Sequence, residues 1–184
     1  TGMVEVTNPS ESFLAERMAT APGSAITVTM EGTRPLLVEI QALVDYSQMS
    51  NPRRIAVGLD QNRLSMLLAV LHRHGNVQMN DQDVFVNVVG GVRVSETSAD
   101  LALLLAMISS FRNRSLPRDL IVFGEVGLAG EIRPVPNGTE RIIEAAKHGF
   151  KRAIVPKANA PRKTALKGLQ VHAVERLDQV IELI

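Results

Sequence analysis

The sequence predicts a two-layer α+β domain in which a mixed β-sheet packs against helices. Two observations lead to this fold class. Short apolar runs alternate with period two, as strands do, and longer runs carry apolar residues at helical spacing. The two kinds of run do not alternate strictly, so the pattern does not indicate a regular βαβ array. A chain of 184 residues is long enough for one well-filled domain.

The first half of the chain begins with a predicted β-hairpin. Residues 24–30 (SAITVTM) alternate apolar and polar, 36–44 (LLVEIQALV) form a mostly buried run, and the turn signal EGTRP lies between them. A short strand follows at 53–58. Residues 60–74 have the length and spacing of a helix, and the glycine after them favours its end there.

The second half of the chain contains a long apolar helix between strands. A strand is predicted at 83–89, and the glycine pair after it permits a bend. Helical spacing of leucines and isoleucine predicts a helix over 99–112, and Pro117 limits its extension. The remaining elements are predicted as a strand at 120–123, a tight hairpin at 126–132, a helix at 137–148, strands at 153–155 and 169–173, and a terminal helix at 177–184.

Composition restricts the classes of function. The chain has no Cys or Trp and only one Tyr and five Phe. The lack of cysteine excludes disulfides and thiolate metal sites and suits a reducing cytoplasm. The scarcity of aromatic residues argues against a base-stacking platform for single strands. The four His residues show no metal-ligand spacing, and no apolar run is long enough for a membrane span.

The glycine-rich segments do not form a nucleotide-binding motif. Gly124, Gly127 and Gly130 are spaced by three, which differs from the dinucleotide fingerprint, and no P-loop pattern occurs. We therefore expect no cofactor in this chain and interpret these glycines as hairpin residues.

Ser98 is the first candidate functional residue. It follows a strand-like run and lies at the start of the apolar helix, within Thr97-Ser98-Ala99-Asp100. A structural alternative is that its hydroxyl caps the helix by accepting from backbone N–H groups. We take capping as the expected role.

The order of elements from residue 83 onward resembles the proteolytic domain of the Lon family. In that family a Pro-Ser-Ala-Gly serine is paired with a lysine at the start of a later helix. Counting from the Gly130-x-x-x-Pro134 hairpin, the resemblance assigns the lysine position to Thr139. Threonine cannot accept a proton near neutral pH, and Arg141 stays protonated and lies at a different helix angle. Asp100 also replaces the small glycine beside the serine, where an oxyanion would need stabilising. The peptidase dyad is therefore predicted to be incomplete, with Ser98 and Thr139 as relic positions.

A run of basic residues predicts contact with phosphates. Residues 141–167 contain eight Lys and Arg residues and a single acid, Glu144. Such a local charge excess attracts polyanions, although a solvated surface balanced elsewhere would have the same composition. The candidate DNA-binding residues are Lys147, Lys151, Arg152, Lys157, Arg162 and Lys163, with Arg53 and Arg54 as weaker candidates.

Longer strings carry a narrower resemblance over nearly the whole chain. The segments EGTRPLLVEIQALV, NPRRIAVGLDQNRLSMLLAVLHRHG, DVFVNVVGGVRV and FGEVGLAGEIRPV are similar to the C-terminal domain of the RadA/Sms family of bacterial DNA-repair ATPases, which are related to RecA. The resemblance implies the Lon-protease-like version of the ribosomal protein S5 domain 2-like fold. It implies a linker or arm at 1–22, from a missing N-terminal ATPase region, and the domain itself at 23–184.

The same resemblance implies a role in homologous recombination and DNA repair through branch migration. It implies a cytoplasmic homo-oligomeric ring, expected to be a hexamer, with single-stranded or branched DNA as ligand and the recombinase RecA as a partner in the pathway. ATP with Mg²⁺ and a structural Zn²⁺ are expected only in the N-terminal domains, and no membrane is expected as a partner. The fragment itself is expected to be a scaffold that guides DNA and not an enzyme. Two alternatives stay open: a residual Lon-type serine peptidase, and an oligomerisation module without DNA contact.

Overall fold

The computed structural model describes residues 21–161 and 168–184. Its strands are β1 (Ser24–Glu31), β2 (Arg34–Tyr46), β3 (Arg54–Val57), β4 (Gln82–Val88), β5 (Leu120–Val122), β6 (Glu125–Val126), β7 (Ile132–Arg133), β8 (Arg152–Pro156) and β9 (Gln170–Val174). Its helices are α1 (Gln61–His74), α2 (Asp100–Arg112), α3 (Gly138–Lys147) and α4 (Leu177–Glu182). These elements confirm the predicted order of strands and helices. The sequence also permits a short helix near residues 8–18, and this segment, like most of the arm predicted at 1–22, lies outside the described residues.

Seven strands form one mixed sheet in the order β3-β4-β2-β1-β5-β8-β9. The hairpin β1–β2 and the pair β2–β4 are antiparallel, whereas β3–β4, β1–β5, β5–β8 and β8–β9 are parallel. The short strands β6 and β7 form a separate hairpin. A mixed sheet packed against helices confirms the predicted α+β class.

The sheet carries apolar cores on both faces. The larger core is formed by buried side chains of α1, α2 and α4 and by the inward side chains of β2 and β4. A smaller core under α3 contains Ile26, Ile121, Phe123 and Ile142. Because neighbouring side chains of a strand point to opposite faces, Ala25 and Ile26 belong to different cores. The α3 helix therefore lies on the opposite face of the sheet from α2.

Local sequence signals explain where the helices begin and end. The Asp60 side chain accepts a hydrogen bond from the Asn62 N–H at 2.9 Å, which caps α1, and the Gly75 N–H donates to the Leu71 carbonyl at its end. Helix α2 ends at Arg112, and the capping residue Asn113 has a φ of 53°, in the left-handed region that asparagine tolerates. Among the described helices, none has the length and apolar composition that a membrane span requires.

Candidate functional site

The turn that carries Ser98 is fixed to the end of β5. Residues Thr97–Ala99 form a single 3₁₀ turn directly before α2. The Gly124 N–H donates to the Ser98 carbonyl at 2.9 Å, and the Gly124 carbonyl accepts from the Leu101 N–H at 3.1 Å. Gly124 has a φ of 152°, and an added Cβ would lie 3.1 Å from the Pro156 ring. Glycine at this position thus lets the strand end lie close against the serine turn.

Arg141 lies beside Ser98 and occupies the centre of the site. Its Nη1 atom donates to the Val28 carbonyl at 2.6 Å, to Glu96 Oε1 at 2.7 Å and to Ser98 Oγ at 3.1 Å. Its Nε atom donates to the Pro136 carbonyl at 2.9 Å. The guanidinium carbon is also 6.0 Å from the centroid of the Phe123 ring. One buried side chain thus connects β1, the serine turn and the segment before α3.

The structure corrects the assignment of Thr139 to the position that faces the serine. Thr139 is exposed on α3 and does not face Ser98, whereas Arg141 is 1% exposed and contacts it. Two residues along a helix correspond to a rotation of about 200°, so positions 139 and 141 point to nearly opposite sides. The expectation that Arg141 would lie at the wrong helix angle was therefore wrong. A usable signal was present in the sequence, since Arg141 shares a helix face with Ile142 and Ala145, which are buried.

The predicted capping role of Ser98 was also wrong. Helix α2 has Ala99 at its N-cap, with no side-chain cap hydrogen bond. The Ser98 hydroxyl instead donates to Glu96 Oε1 at 2.5 Å and accepts from Arg141. The serine is 2% exposed. Its hydroxyl therefore belongs to a closed polar cluster of Glu96, Ser98 and Arg141, which we call the Arg141 cluster.

The Arg141 cluster lacks a group that could activate the serine. An arginine side chain stays protonated and cannot accept the serine proton. Burial tends to raise the pKa of the Glu96 carboxyl, but hydrogen bonds from Arg141 and Ser98 outweigh this effect and hold that pKa below its ordinary value. A carboxylate with a lowered pKa is a weak base. The arrangement is thus suited to holding charge in place and unsuited to general-base catalysis.

Asp100, next to the serine turn, forms a second buried ion pair. Its carboxylate accepts from Arg63 Nε at 2.8 Å and from the Val126 N–H at 3.0 Å, and it is 3% exposed. Burial raises the pKa of the Asp100 carboxyl, although the hydrogen bonds from Arg63 and Val126 oppose the shift. The hydrogen bond to Asp100 raises the pKa of Arg63, which is less deeply buried. The Asp100 carboxyl group therefore joins α1, α2 and β6 through its contacts with Arg63 and Val126.

The structure places the predicted basic residues in two regions. Lys147, Lys151 and Arg152 are exposed near the end of α3 and the start of β8. Lys157 directly follows the end of β8. At the usual rise of a strand it lies roughly 17 Å from Arg152, at the start of β8. Arg152 pairs with Asp119 at 3.4 Å and Lys157 with Glu175 at 3.0 Å.

The remaining basic candidates have other surroundings. Arg162 and Lys163 lie outside the described residues. Arg53 contacts Asp83 at 3.4 Å and lies over the Phe85 ring, with 5.2 Å between its guanidinium carbon and the ring centroid. Arg54 donates to the Met79 carbonyl at 2.9 Å and to the Gln82 carbonyl. These contacts give both arginines a role within the fold, and their contact with DNA stays a prediction.

Comparison with known proteins gives a family and several close relatives. Residues 52–159 match the family model described as subunit ChlI of Mg-chelatase. The chain is 68% identical to the DNA repair protein RadA of Escherichia coli (strain K12) over 182 residues, which are 99% of this chain and 39% of that protein. It is 68% identical to the DNA repair protein RadA of Haemophilus influenzae, covering 100% of this chain and 40% of that protein. Identity to the DNA repair protein RadA of Bacillus subtilis is 48%, over 98% of this chain and 39% of that protein. The chain thus spans about two fifths of the length of these relatives.

Proposed function

Because the chain belongs to the ChlI domain family and, over almost its whole length, to the RadA group of DNA repair proteins, we propose that it is a non-proteolytic scaffold domain of a DNA repair ATPase. The observation that carries the proposal is the Arg141 cluster. A permanently charged guanidinium and a buried serine stand where a serine–lysine peptidase would need an accessible nucleophile and a neutral base. In this proposal the domain keeps the fold of such an enzyme, and the buried Arg141 cluster stabilises that fold.

In this proposal the domain supports a ring of identical subunits. Contacts between different surfaces of neighbouring copies close into a ring when the rotation is right, and a hexamer is the size we propose. The longer protein would act in homologous recombination in the cytoplasm, together with the recombinase RecA, and drive branch migration with ATP. ATP, Mg²⁺ and a structural Zn²⁺ would be held by parts of the longer protein outside this chain. The described residues contain no group of three or more His, Asp or Glu side chains that could hold a metal ion.

A basic surface would guide single-stranded or branched DNA along the ring. Lys147, Lys151 and Arg152 support this role because they are exposed and lie near one another in the fold. Lysine and arginine bind the phosphate backbone without reading sequence. The domain would therefore add affinity for DNA and orient the DNA strands. Other parts of the longer protein would select the site on the DNA.

A salt titration tests the DNA-guiding role. Replacing Lys147, Lys151 and Arg152 together by alanine is expected to reduce the slope of log affinity against log salt by roughly two to three, because each lost phosphate contact removes about 0.7–0.9. Binding of single-stranded and forked DNA would be measured by fluorescence anisotropy across a salt series.

The matched control for this titration replaces three other exposed cations, Arg34, Arg93 and Arg133, by alanine. This variant should keep the original slope. An unchanged slope in the first variant would contradict DNA guidance by this surface and favour a pure oligomerisation module. That alternative further requires that ring assembly survives the loss of the three cations.

Labelling with a serine-reactive phosphonate tests the alternative of a residual peptidase. We expect no labelling of Ser98 in the folded chain, because its hydroxyl is buried and donates to Glu96. Mass spectrometry of the intact chain would detect an adduct, and a known serine–lysine peptidase would serve as the positive control. Labelling that disappears in Ser98→Ala would show a reactive nucleophile and refute the proposed loss of chemistry.

A further inference from the structure

One part of the sheet leaves apolar side chains in solvent. The outward residues of β2, β4 and β3 form a row in which Leu43 pairs with Phe85, and Phe85 pairs with Ile55. Leu43 is 59% exposed, Ile55 is 42% exposed, and the neighbouring Val57 is 57% exposed. We call this surface the β2–β4–β3 face. Exposed and contiguous apolar patches of this kind mark interaction sites on soluble proteins.

The position of α3 explains why these side chains stay exposed. Helix α3 packs over Ile26, Ile121 and Phe123, so it covers the sheet around β1 and β5. Strands β4 and β3 lie beyond β2, at the far end of the strand order. The outward side of the sheet is therefore covered at its centre and left open toward β3.

The first described residues of the chain lie at this open part of the sheet. A groove of about 470 Å³ runs along the β2–β4–β3 face and is lined by Leu43, Ile55 and Val57. Ala21 and Pro22 line the same groove. The polypeptide thus enters the domain at one end of its own apolar groove.

Gly23 fixes this entry point. Its N–H donates to Ser109 Oγ at 2.9 Å, and its carbonyl accepts from the Ala42 N–H at 2.8 Å. Its φ of 95° lies in the left-handed region, and an added Cβ would lie 2.2 Å from the Ala42 carbonyl oxygen. The turn is therefore held by both α2 and β2, and the residues before it start from a fixed position beside the groove.

The preceding segment has the composition and the length to cover the face. Residues 11–20 (ESFLAERMAT) contain three large apolar side chains, Phe13, Leu14 and Met18. From β1 to β3 the groove crosses three gaps between strands, about 14 Å in all. Met18 lies three residues before Ala21 and can reach about 10 Å from it, whereas Leu14 lies seven residues before it and can reach about 23 Å. The segment can thus place an apolar side chain at every strand of the face.

We propose that residues 11–20 pack across the β2–β4–β3 face and bury Leu43, Ile55 and Val57 beneath Phe13, Leu14 and Met18. The occupant is this segment because the groove begins where the segment is attached. A short tether gives an effective concentration on the order of millimolar, so even a weak apolar contact is populated within one chain. A separate partner would have to compete with that local concentration.

This inference goes beyond the proposed function and does not depend on it. Its failure would leave the Arg141 cluster, ring formation and DNA guidance as they stand. Its success would fix the direction from which the arm predicted at 1–22 approaches the domain. In the proposed longer protein, that direction would limit how the ATPase region can be placed relative to this domain.

A spin label on the segment tests the contact in the 184-residue chain. The chain has no Cys, so Ser12→Cys provides a single attachment point for a nitroxide. Nuclear magnetic resonance would then measure which amide signals the nitroxide broadens. We expect strong signal loss at Ile55, Val57 and Phe85, and little change at Leu128. The Leu128 carbonyl contacts His74 at the end of α1, and the 14 residues of this helix span about 21 Å from the β3 side.

Paired variants show whether apolar contacts hold the segment. Leu14→Asp in the labelled chain should restore the signals of the face, because a carboxylate would have to leave water to stay in the groove. Ser10→Asp adds the same charge but keeps all three apolar side chains, so its broadening should persist. On the face itself, Leu43→Asp should also restore the signals, and its exposed position lets the fold survive the change. Leu128→Asp is the matched control for this substitution and should leave the broadening unchanged.

A mixing experiment separates the chain's own segment from that of a second copy. Spin-labelled chains without isotope enrichment would be mixed with enriched chains that carry no label. We expect no broadening in the enriched chains, since each face is covered by its own segment. Broadening in this mixture would assign the face to a second copy and overturn the inference. A labelled chain whose face is not broadened, or whose broadening survives Leu14→Asp, would overturn it as well and leave the face to another partner.

Discussion

Replacing Arg141 by methionine is expected to lower the free energy of unfolding by about 3–5 kcal/mol. The guanidinium is almost fully buried and donates to two backbone carbonyls, one carboxylate and the Ser98 hydroxyl. Methionine has a similar length but removes every hydrogen bond from the guanidinium, including those to the Val28 and Pro136 carbonyls, and it leaves the Glu96 carboxylate without its countercharge. A buried acceptor that loses its donor costs the desolvation of that group. Urea unfolding followed by circular dichroism would measure the change in free energy.

Two companion variants make the Arg141 experiment specific. Arg152→Met removes an arginine whose side chain is half exposed, and it should change stability by less than about 1 kcal/mol. Arg141→Lys keeps the charge beside Glu96 but cannot reproduce the fork of donors, so its loss should lie between the other two. A loss below about 1 kcal/mol for Arg141→Met would show that the cluster does not stabilise the fold, and would remove the main support for a structural role.

The strands and helices could be predicted because their signals are local. The alternation in 24–30, the glycine that follows residue 74 and the helical spacing after Ser98 each lie within a few residues, and the structure confirms the elements that they predict. Two details of α3 show the limit of this approach. The adjacent isoleucines both fit an apolar face of the helix, but Ile142 is buried and Ile143 is 42% exposed. A ten-residue helix permits more than one apolar stripe, and tertiary contacts decide which one is buried.

The chemistry of the site could not be derived from sequence distance alone. Ser98 and Arg141 are 43 residues apart in sequence, and only the packing of α3 on the sheet brings them together. A long arginine side chain was assigned to the solvated basic run because arginine is rarely buried without partners. Here the partners are backbone carbonyls of distant segments, which leave no mark in the sequence.

Replacing Asp100 by alanine is the second change expected to have a large effect, with a loss of about 3 kcal/mol at neutral pH. The substitution leaves Arg63 without its carboxylate and the buried Val126 N–H without its acceptor, so α1, α2 and β6 lose their common contact. Asp100→Asn keeps the shape and one acceptor oxygen, and its loss should be less than half as large. Urea unfolding of both variants at the same pH gives the comparison.

The pH dependence of Asp100→Asn separates charge from shape. Burial raises the pKa of Asp100 above its ordinary value of about 3.9, so the folded state binds the proton more tightly than the unfolded state. The contribution of this group to stability is therefore complete below that ordinary value and is lost as pH rises through the raised pKa of the folded state. Wild type should exceed Asp100→Asn in stability by more near pH ~4 than near pH ~7. A difference that grows with pH would mean that Arg63 outweighs burial and that the carboxylate, once ionised, stabilises the fold.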